Sequence, residues 1–139
     1  MGEADNLFGD AHVQRYRETG GKVGHLWREG STILLLTTTG RKTGEKRTTP
    51  LIYASDGARY VIIASKGGAP ENPGWYLNLE KSPEVELQVM DAVFRARART
   101  ATGEERNRLW RLANKVWPHY DEYATRTPRE IPVVVLERI

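Results

Sequence analysis

The stretch that decides the fold is Thr32-Ile-Leu-Leu-Leu-Thr-Thr-Thr39, followed by Gly40-Arg-Lys-Thr-Gly-Glu-Lys46 and then by Arg47-Thr-Thr-Pro-Leu-Ile-Tyr-Ala-Ser55. The first segment is apolar and β-branched, which is typical of a buried strand. The middle segment contains two glycines and predicts a turn. The third predicts a second strand, in which Pro50 indicates an edge or a bulge. Asp56-Gly57 is a strong hairpin signal, so a third strand is predicted from Arg59 to Ala64.

The rest of the chain continues the pattern of short strands. A short helix is predicted at Gly74 to Lys81, and further strands at Val85 to Val89, Phe94 to Thr100 and Ile131 to Leu136. The strongest helix begins at Thr102, because Thr102 and Glu105 have the spacing of a capping box. An apolar stripe continues this helix from Leu109 to Trp117, and Pro118 ends it. About six antiparallel strands around one core, with flanking helices, predict a mainly β (α+β) barrel or partly open barrel.

Length and composition limit the class of protein. A chain of 139 residues fits one domain, which we divide into a helical or flexible segment at residues 1–30 and a barrel domain at residues 31–139. The absence of cysteine excludes disulfides and thiolate metal sites. No run approaches the ~20 apolar residues of a spanning helix, and the N-terminus lacks the pattern of a signal peptide. A cytoplasmic location is the simplest interpretation.

The excess positive charge is concentrated in one turn. The chain has 21 basic and 18 acidic residues, of which residues 41–47 hold four and one, so the remainder is balanced at 17 of each. Glycines at 40 and 44 let backbone N–H groups approach an anion, and arginine binds anions bidentately. The turn is therefore a candidate phosphate site, with a solvated hairpin tip as the equally open alternative.

Two further segments carry candidate residues for a planar ligand. Ser65-Lys66-Gly67-Gly68 follows a predicted strand, and its glycines permit close approach of a ligand; a plain connecting loop is the alternative. Trp75 and Tyr76 are adjacent on a predicted helix and point about 100° apart. We expect that both cannot face the same core, which leaves one of them free to line a pocket or stack on a ring.

Three other groups of side chains have weaker functional signals. Tyr120 and Tyr123 follow the end of the long helix and are candidates to rim an aromatic substrate site, with ordinary packing as the alternative. Arg95, Arg97 and Arg99 alternate along one strand, which favours a solvated sheet face over nucleic-acid contact. His12, His25 and His119 lack ligand spacing with carboxylates, so no metal site is predicted, and no Ser/His/Asp arrangement is visible.

Four blocks of sequence are more specific together than any one of them. They are Leu-Leu-Thr-Thr-Thr-Gly-Arg-Lys-Thr-Gly at residues 35–44, Arg-Thr-Thr-Pro-Leu at 47–51, Ala-Ser-Lys-Gly-Gly-Ala at 64–69 and Asn-Pro-Gly-Trp-Tyr-Leu-Asn-Leu at 72–79. In this order they closely resemble the deazaflavin-dependent nitroreductase and quinone reductase family of actinobacteria, from about Thr32 to the C-terminus. The resemblance implies a split β-barrel related to FMN-binding flavoprotein barrels, with coenzyme F420 as the cofactor.

The resemblance also implies which residues form the site. The phosphate and the polyglutamate tail are assigned to Arg41, Lys42, Thr43, Arg47, Thr48, Thr49, Pro50 and Leu51. The deazaflavin ring is expected to border Ile63, Ala64, Ser65 and Lys66, and to be covered on another side by Gly74, Trp75, Tyr76, Leu77 and Asn78. Tyr120 and Tyr123 match tyrosines on the acceptor side of the family's site. Ser65, Tyr120 and Tyr123 are the candidate catalytic residues, which would hydrogen-bond the acceptor or help to deliver a proton.

The implied reaction is hydride transfer from reduced F420 to a quinone, a nitroaromatic or a similar enone-type acceptor. Two departures put the substrate range in question: Gly74, where members often have a larger residue, and Trp117, where one branch has a third tyrosine. The alternatives are an FMN or haem protein on the same barrel, a non-catalytic F420-binding or lipid-associated protein, and a nucleic-acid-binding barrel. A homodimer and peripheral membrane association stay open, and no nucleic-acid partner is expected.

Overall fold

The computed structural model describes residues 3–139, and its centre is one seven-stranded antiparallel sheet. The strands are β1 Ile33–Thr39, β2 Lys46–Ile52, β3 Ala54–Asp56, β4 Arg59–Ile63, β5 Glu84–Val89, β6 Ala92–Thr100 and β7 Val133–Arg138. Their order across the sheet is β2-β1-β5-β6-β7-β4-β3. Because β2, at one end of this order, also contacts β4 near the other end, the sheet curls into a partly open barrel.

Four α-helices flank the sheet in the part of the chain that the structure describes. They are α1 Gly9–Thr19, α2 Gly74–Lys81, α3 Gly103–Val116 and α4 His119–Ala124, with short 3-10 turns at Glu3–Asn6, Arg28–Gly30 and Lys66–Gly68. The predicted helices α2 and α3 are confirmed, whereas α4 was not predicted. Within residues 3–139, no helix combines the length and the apolar character needed to cross a membrane.

The aliphatic run of β1 is buried on both faces of the sheet. Side chains alternate across a strand, so Leu34 and Leu36 pack inside the barrel while Ile33 and Leu35 pack under α1. All four are at most 2% exposed. This double cover explains why the segment is continuously apolar instead of alternating with polar residues, and it brings α1 against the β1–β2 side of the barrel.

The predicted second strand is divided in two, which raises the strand number to seven. The chain breaks at Tyr53, whose N–H still donates to the Thr32 carbonyl oxygen at 3.0 Å. Residues before the break form β2, which pairs with β1, and residues after it form β3, which pairs with β4. The break therefore carries the chain from one edge of the sheet to the other. The predicted hairpin at Asp56-Gly57 is confirmed, with Gly57 at a φ of 62°.

The predicted capping box at the start of α3 is wrong. The Thr102 side chain makes no capping hydrogen bond. Glu105 instead accepts hydrogen bonds from Arg99 at 2.7 and 2.9 Å, and it lies 3.5 Å from Arg59. The Glu105 carboxylate is thus bound by two arginines of the sheet instead of by the N-terminus of α3. The helix ends at Val116, and Pro118 follows one residue later, after Trp117, in agreement with its predicted role in ending the helix.

The expectation that Trp75 and Tyr76 cannot share a core is also wrong. Both side chains belong to the cluster inside the barrel and are at most 9% exposed. The Tyr76 hydroxyl lies 2.8 Å from Thr100 Oγ1, and the two rings meet edge to face. Because α2 contacts the barrel core over more than one of its faces, adjacent side chains on it are both buried.

Candidate functional site

A cavity of about 420 Å³ lies where α1, the end of β2, the loop after β4 and α4 meet. Most of its wall is aromatic or aliphatic, and includes Phe8, Trp27, Leu51, Ile52, Ile63, Trp75, Trp117, Tyr120 and Tyr123. Ser65 and Lys66 supply polar atoms at the end of β4. Apolar walls with a few polar groups are typical of small-molecule sites, and aromatic side chains suit a planar ring.

One arginine far along the chain holds the loop that carries Ser65. The Arg129 guanidinium donates to the carbonyl oxygens of Ser65 at 2.8 Å, Ala69 at 2.9 Å and Ala64 at 3.3 and 3.4 Å. It also donates to Asn72 Oδ1 at 2.7 Å. Arg129 is not among the site residues predicted from the sequence, because its acceptors lie 57 to 65 residues earlier and leave no local signal.

The same loop is pressed against α4. Gly68 has a φ of 86°, and a Cβ added there would lie 2.7 Å from the Tyr123 carbonyl oxygen. Arg126 donates to the Gly67 carbonyl oxygen at 3.3 Å. Lys66 takes a left-handed φ of 47° without being glycine, a conformation that costs energy and recurs at functional sites. The strand end and the two tyrosines of α4 are therefore fixed relative to each other.

Two hydroxyl groups in the cavity are free to meet a ligand. Ser65 Oγ and the Tyr120 hydroxyl have no hydrogen-bond partner within residues 3–139, yet neither is sealed from the cavity. Burial raises the pKa of Tyr120, and the neighbouring Tyr123 adds to the effect. Tyr120 is thus a neutral phenol that can donate a hydrogen bond. The Tyr123 hydroxyl accepts one from Trp117 Nε1 at 3.2 Å.

The N-terminal segment contributes side chains to the cavity wall that were not predicted from the sequence as site residues. His12 on α1 is 1% exposed and lines the cavity. Its Nε2 donates to the Gly24 carbonyl oxygen at 2.9 Å, and burial lowers the pKa of the imidazole, which keeps it neutral. Trp27 stacks on Trp117 with 5.9 Å between ring centroids. The available signal was the helical spacing of His12 and Tyr16, which places both on the buried face of α1.

From the cavity, the free edge of β2 leads towards the basic turn. The Tyr53 N–H points towards the β1 side, where it donates to Thr32, the residue before β1. Alternation along the strand in this register points the N–H groups of Ile52 and Thr48 outward. Pro50, which has no N–H, occupies the position between them, as expected on an edge. Outside this edge, α1 and residues 46–50 enclose a groove of about 870 Å³.

The basic turn is held in shape by its own backbone and by α2. The Gly40 N–H donates to the Glu45 carbonyl oxygen at 2.7 Å, and a Cβ at Gly40 would lie 3.0 Å from that oxygen. Both the backbone N–H of Arg41 and its guanidinium donate to Asn78 Oδ1, at 3.1 and 3.0 Å. The buried Asn78 in turn donates to Thr38 Oγ1 at 3.1 Å. Asn78 therefore fixes the turn relative to the barrel.

The charge of this turn is uncompensated within residues 3–139. No carboxylate lies within 4 Å of the charged nitrogens of its four basic residues, Arg41, Lys42, Lys46 and Arg47. On β6, by contrast, Arg99 pairs with Glu105 and Glu137, and Arg95 lies 3.9 Å from Glu84. Arg97, between them, has no carboxylate within 4 Å in the described residues, but it is one unpaired arginine against four unpaired basic residues in the turn, so the turn is the stronger candidate anion site.

A family model described as F420H(2)-dependent quinone reductase matches residues 10–138. The chain belongs to this family. An F420H(2)-dependent quinone reductase of Mycobacterium tuberculosis is 45% identical over 130 residues, covering 91% of this chain and 87% of the relative. The solved structure of an F420-H2 dependent reductase is also 45% identical, with a TM-score of 0.71 over 76% of this chain and 93% of that one.

Other solved structures extend the comparison. One described as a domain-swapped dimer is 42% identical, with a TM-score of 0.74, over 90% of this chain and 91% of its own. A haem storage protein of Vibrio cholerae, at 12% identity and a TM-score of 0.61 over 96% of this chain and 92% of that one, shares the fold alone. The predicted family, split-barrel fold, F420 cofactor and F420-dependent oxidoreductase activity are thereby confirmed.

The residues present fit the cofactor of this family. The apolar cavity suits a planar deazaflavin, the outward N–H groups of β2 suit a ribityl phosphate, and the uncompensated turn suits an acidic tail. The three regions are continuous, because Pro50 lines both the cavity and the groove and Arg47 lines both the groove and the turn. Within residues 3–139, no group of His, Asp or Glu side chains is arranged to hold a metal ion.

The cavity, the groove and the basic turn together form one continuous path. Most of the site residues predicted from the sequence line this path, and a few do not. Its cavity end contains Leu51, Ile63, Ser65, Lys66, Trp75, Tyr120 and Tyr123, and its turn end contains Arg41, Lys42, Thr43, Arg47 and Asn78. Thr48, Thr49 and Pro50 lie between the two ends. The Gly74 carbonyl oxygen lies beside Arg41. Ala64 and Tyr76 are buried, and neither they nor Leu77 line the path.

Proposed function

We propose that this protein binds reduced F420 along β2 and transfers its hydride to a quinone held in the aromatic cavity. The observation that carries this proposal is the unbroken path from an apolar cavity to an uncompensated basic turn. A ligand with a planar ring at one end and an anionic chain at the other matches this path in both shape and charge. Arg47 and Leu51, which are four residue steps apart, separate the two ends by about 13 Å of strand.

The turn end would hold the anionic part of the cofactor. Arg41 is fixed on Asn78 and cannot turn away, while Lys42 and Arg47 have no partner within residues 3–139 and are available to phosphate oxygens. The outward N–H of Thr48 adds a neutral donor on the way to the ring. These groups act by binding and orientation, because none of them lies in the cavity where the acceptor would sit.

The cavity end would place the acceptor against the ring. Bound F420 supplies the hydride. Reduction of a quinone to a hydroquinone needs one hydride and one proton, so a hydrogen-bond donor near the acceptor oxygen helps to stabilise the charge that develops there. Tyr120 and Ser65 have free hydroxyls in the cavity. Tyr120 would donate to the acceptor oxygen, and Ser65 would orient the ring or the acceptor from the end of β4.

Two classes of acceptor are proposed for this site, a quinone first and nitroaromatics second. Quinone is the acceptor that the family description supports, and nitroaromatics are proposed as secondary acceptors because they are planar and would fit between the same rings. Trp117 supplies a wall of the cavity and donates to Tyr123. Trp117→Tyr would therefore alter the acceptor preference, measured as kcat/KM for a quinone against a nitroaromatic, more than it alters F420 affinity.

A homodimer, a cytoplasmic location and peripheral contact with a membrane complete the proposal. The 42% identical structure described as a domain-swapped dimer supports the dimer, and light scattering on the purified protein tests it. The membrane contact is supported only by Phe8, which lines the cavity and is 71% exposed. Sedimentation with quinone-containing vesicles, compared between the wild type and Phe8→Ser, tests that part separately.

The phosphate role of the basic turn is tested by cofactor titration. We expect Arg41→Ala and Lys42→Ala to weaken F420 binding, with a larger loss at low salt because screening already reduces the attraction at high salt. Lys115→Ala, at an exposed lysine of α3, is the matched control. Unchanged affinity in both turn variants would remove the phosphate role, whereas an equal loss in the control would point to net charge alone.

A further inference from the structure

His12 offers the cavity a hydrogen-bond acceptor that the proposed hydride transfer does not use. The residue is 1% exposed and lines the cavity from α1. We propose that His12 Nδ1 accepts a hydrogen bond from a hydroxyl group of the hydroquinone, and that the site therefore distinguishes the reduced acceptor from a ligand without a donor. The inference rests on the proposed function, since it needs a quinone as the substrate of this cavity.

The hydrogen bond at the other ring nitrogen decides which nitrogen carries the proton. His12 Nε2 lies 2.9 Å from the Gly24 carbonyl oxygen, which can only accept, so Nε2 carries the hydrogen of the neutral imidazole. The pKa of His12 is lowered, because desolvation by burial outweighs the opposing effect of the bond to Gly24. The ring is therefore neutral, and its Nδ1 has a lone pair and no hydrogen.

This lone pair has no donor from the protein. Nδ1 has no hydrogen-bond partner within residues 3–139, yet the atom is not sealed by its neighbours. A buried acceptor without a donor costs free energy. Because His12 lines the cavity, a ligand that carries a hydroxyl group there can supply the missing donor.

The ring is held firmly, so the direction of Nδ1 is set before a ligand binds. Tyr16 lies one turn later on the buried face of α1, and its hydroxyl donates to the Ile33 carbonyl oxygen at 3.0 Å. Gly24 packs closely on the ring, since a Cβ there would lie 3.2 Å from His12 Cδ2 and Nε2. An acceptor fixed in this way loses little conformational freedom when it binds a ligand.

A row of packed rings connects His12 with the acceptor side of the cavity. The ring of Trp27 lies 5.9 Å from that of His12 and 5.9 Å from that of Trp117, measured between centroids. Trp117 Nε1 in turn donates to the Tyr123 hydroxyl at 3.2 Å. His12 thus belongs to the wall that the proposed function assigns to the quinone.

The polar groups of the cavity differ in what they can recognise. No Asp or Glu side chain lines it in the described part of the chain. The free hydroxyls of Ser65 and Tyr120 can donate or accept, whereas His12 Nδ1 can only accept. A quinone has two carbonyl oxygens, which only accept, and its reduction turns them into two hydroxyl groups, which also donate. Tyr120 therefore suits both forms of the ligand, whereas His12 Nδ1 suits the reduced form alone.

The consequence is a stabilised product rather than a further chemical step. Bound F420 supplies the hydride, and one proton completes the hydroquinone, as in the proposed function. His12 accepts a hydrogen bond and takes no proton, so the balance of the reaction is unchanged. The bond forms only as the hydroquinone forms, and it shifts the equilibrium of the bound species towards product.

Two substitutions of His12 separate its two nitrogens. Glutamine places its amide nitrogen near the position of Nε2, so His12→Gln can keep the bond to Gly24 while it removes the acceptor at Nδ1. Asparagine places its amide oxygen near the position of Nδ1, so His12→Asn keeps an acceptor while it loses the bond to Gly24. The two variants are therefore matched controls for each other, and thermal unfolding of both shows that they are folded.

The test compares a water-soluble naphthohydroquinone with its dimethyl ether, which has the same rings but no donor. Dissociation constants are measured anaerobically by calorimetry on protein saturated with oxidised F420. We expect the wild type to prefer the hydroquinone, and His12→Gln to reduce this preference about fivefold, the scale of one neutral hydrogen bond. His12→Asn should keep most of the preference, and Tyr120→Phe should weaken both ligands alike.

A second readout needs no variant. In the wild type, the nitrogen NMR signal of His12 Nδ1 should move when the hydroquinone is added and should move less with the dimethyl ether. The KM for the quinone should be unchanged in His12→Gln, because a quinone has no hydroxyl to donate.

The inference and the proposed function fail in different ways. If His12→Gln keeps the preference for the hydroquinone, or if folded His12→Gln and His12→Asn lose it equally, Nδ1 is not the acceptor and the inference is overturned. A loss of F420 affinity in His12→Gln overturns it as well, because the donor then belongs to the cofactor. If the wild type binds F420 but reduces no quinone, or does not bind F420, the proposed function itself is refuted, and no variant is needed for that result.

Discussion

Replacing Arg129 by glutamine tests whether one side chain holds the cofactor loop. The guanidinium makes five hydrogen bonds to four acceptors, three of them backbone carbonyl oxygens of the loop. Glutamine is shorter and has two donor hydrogens, so at least three of these bonds are lost. At about 1 kcal/mol net for each, with water reaching the half-buried site, we expect a loss of about 3 kcal/mol in the free energy of unfolding. This corresponds to a fall of roughly 10 °C in Tm.

The assay is urea and thermal unfolding, followed by F420 titration under conditions where each variant is folded. Arg126→Gln is the control, because Arg126 is exposed and donates to the loop only once, at 3.3 Å; we expect it to cost less than about 1 kcal/mol. In Arg129→Gln the F420 affinity should also fall, since Ser65 and Lys66 lose their support. If the two variants unfold at the same urea concentration, the loop does not depend on Arg129 and the reasoning is refuted.

Three further predictions concern the barrel and its acid stability. Leu36→Ala removes a fully buried side chain of the inner core and should lower the free energy of unfolding by about 2–5 kcal/mol in urea titrations. Gly68→Ala should destabilise more than Gly57→Ala, because both have positive φ but only at Gly68 does the new Cβ meet a carbonyl oxygen, at 2.7 Å; equal Tm losses would contradict this. Hydrogen bonds from Arg108 and Arg59 lower the pKa of Asp56 from 3.8 to about 2, so its stabilisation is complete above pH 3.8 and is lost as pH falls towards 2. Acid titrations of the wild type and Asp56→Asn should differ in that range, and parallel curves would refute the assignment.

Features encoded over short distances were predictable from the sequence. The basic turn was predicted because its charges and glycines are adjacent, and the structure leaves that charge uncompensated within residues 3–139. The apolar run of β1 was predicted because both of its faces are covered. The two-part strand was not predictable, because residues 47–55 keep one continuous strand pattern, and the switch at Tyr53 depends on pairing with β1 on one side and β4 on the other.

Features that depend on long-range packing were not predictable. His12 reaches the cavity because α1 packs across β2, and Trp27, in the segment after α1, reaches it by stacking on Trp117; nothing near either residue in the sequence indicates a ligand. Arg129 binds backbone carbonyl groups, which every residue has, so no partner residue type could reveal it. The prediction that Trp75 and Tyr76 cannot share a core is wrong because it assumes a helix buried on one face only, whereas α2 is packed from several sides. Trp75 nevertheless also lines the cavity.

The most direct test of the central claim is anaerobic turnover of F420H2 with a soluble quinone, followed by the reappearance of oxidised deazaflavin absorbance. Parallel reactions replace F420H2 with reduced FMN, and parallel titrations follow quenching of tryptophan fluorescence by each cofactor. We expect catalysed oxidation of F420H2 in a one-to-one ratio with quinone, quenching of Trp75 by F420, and no comparable turnover with reduced FMN. Binding and turnover with FMN, together with no response to F420, would contradict the account.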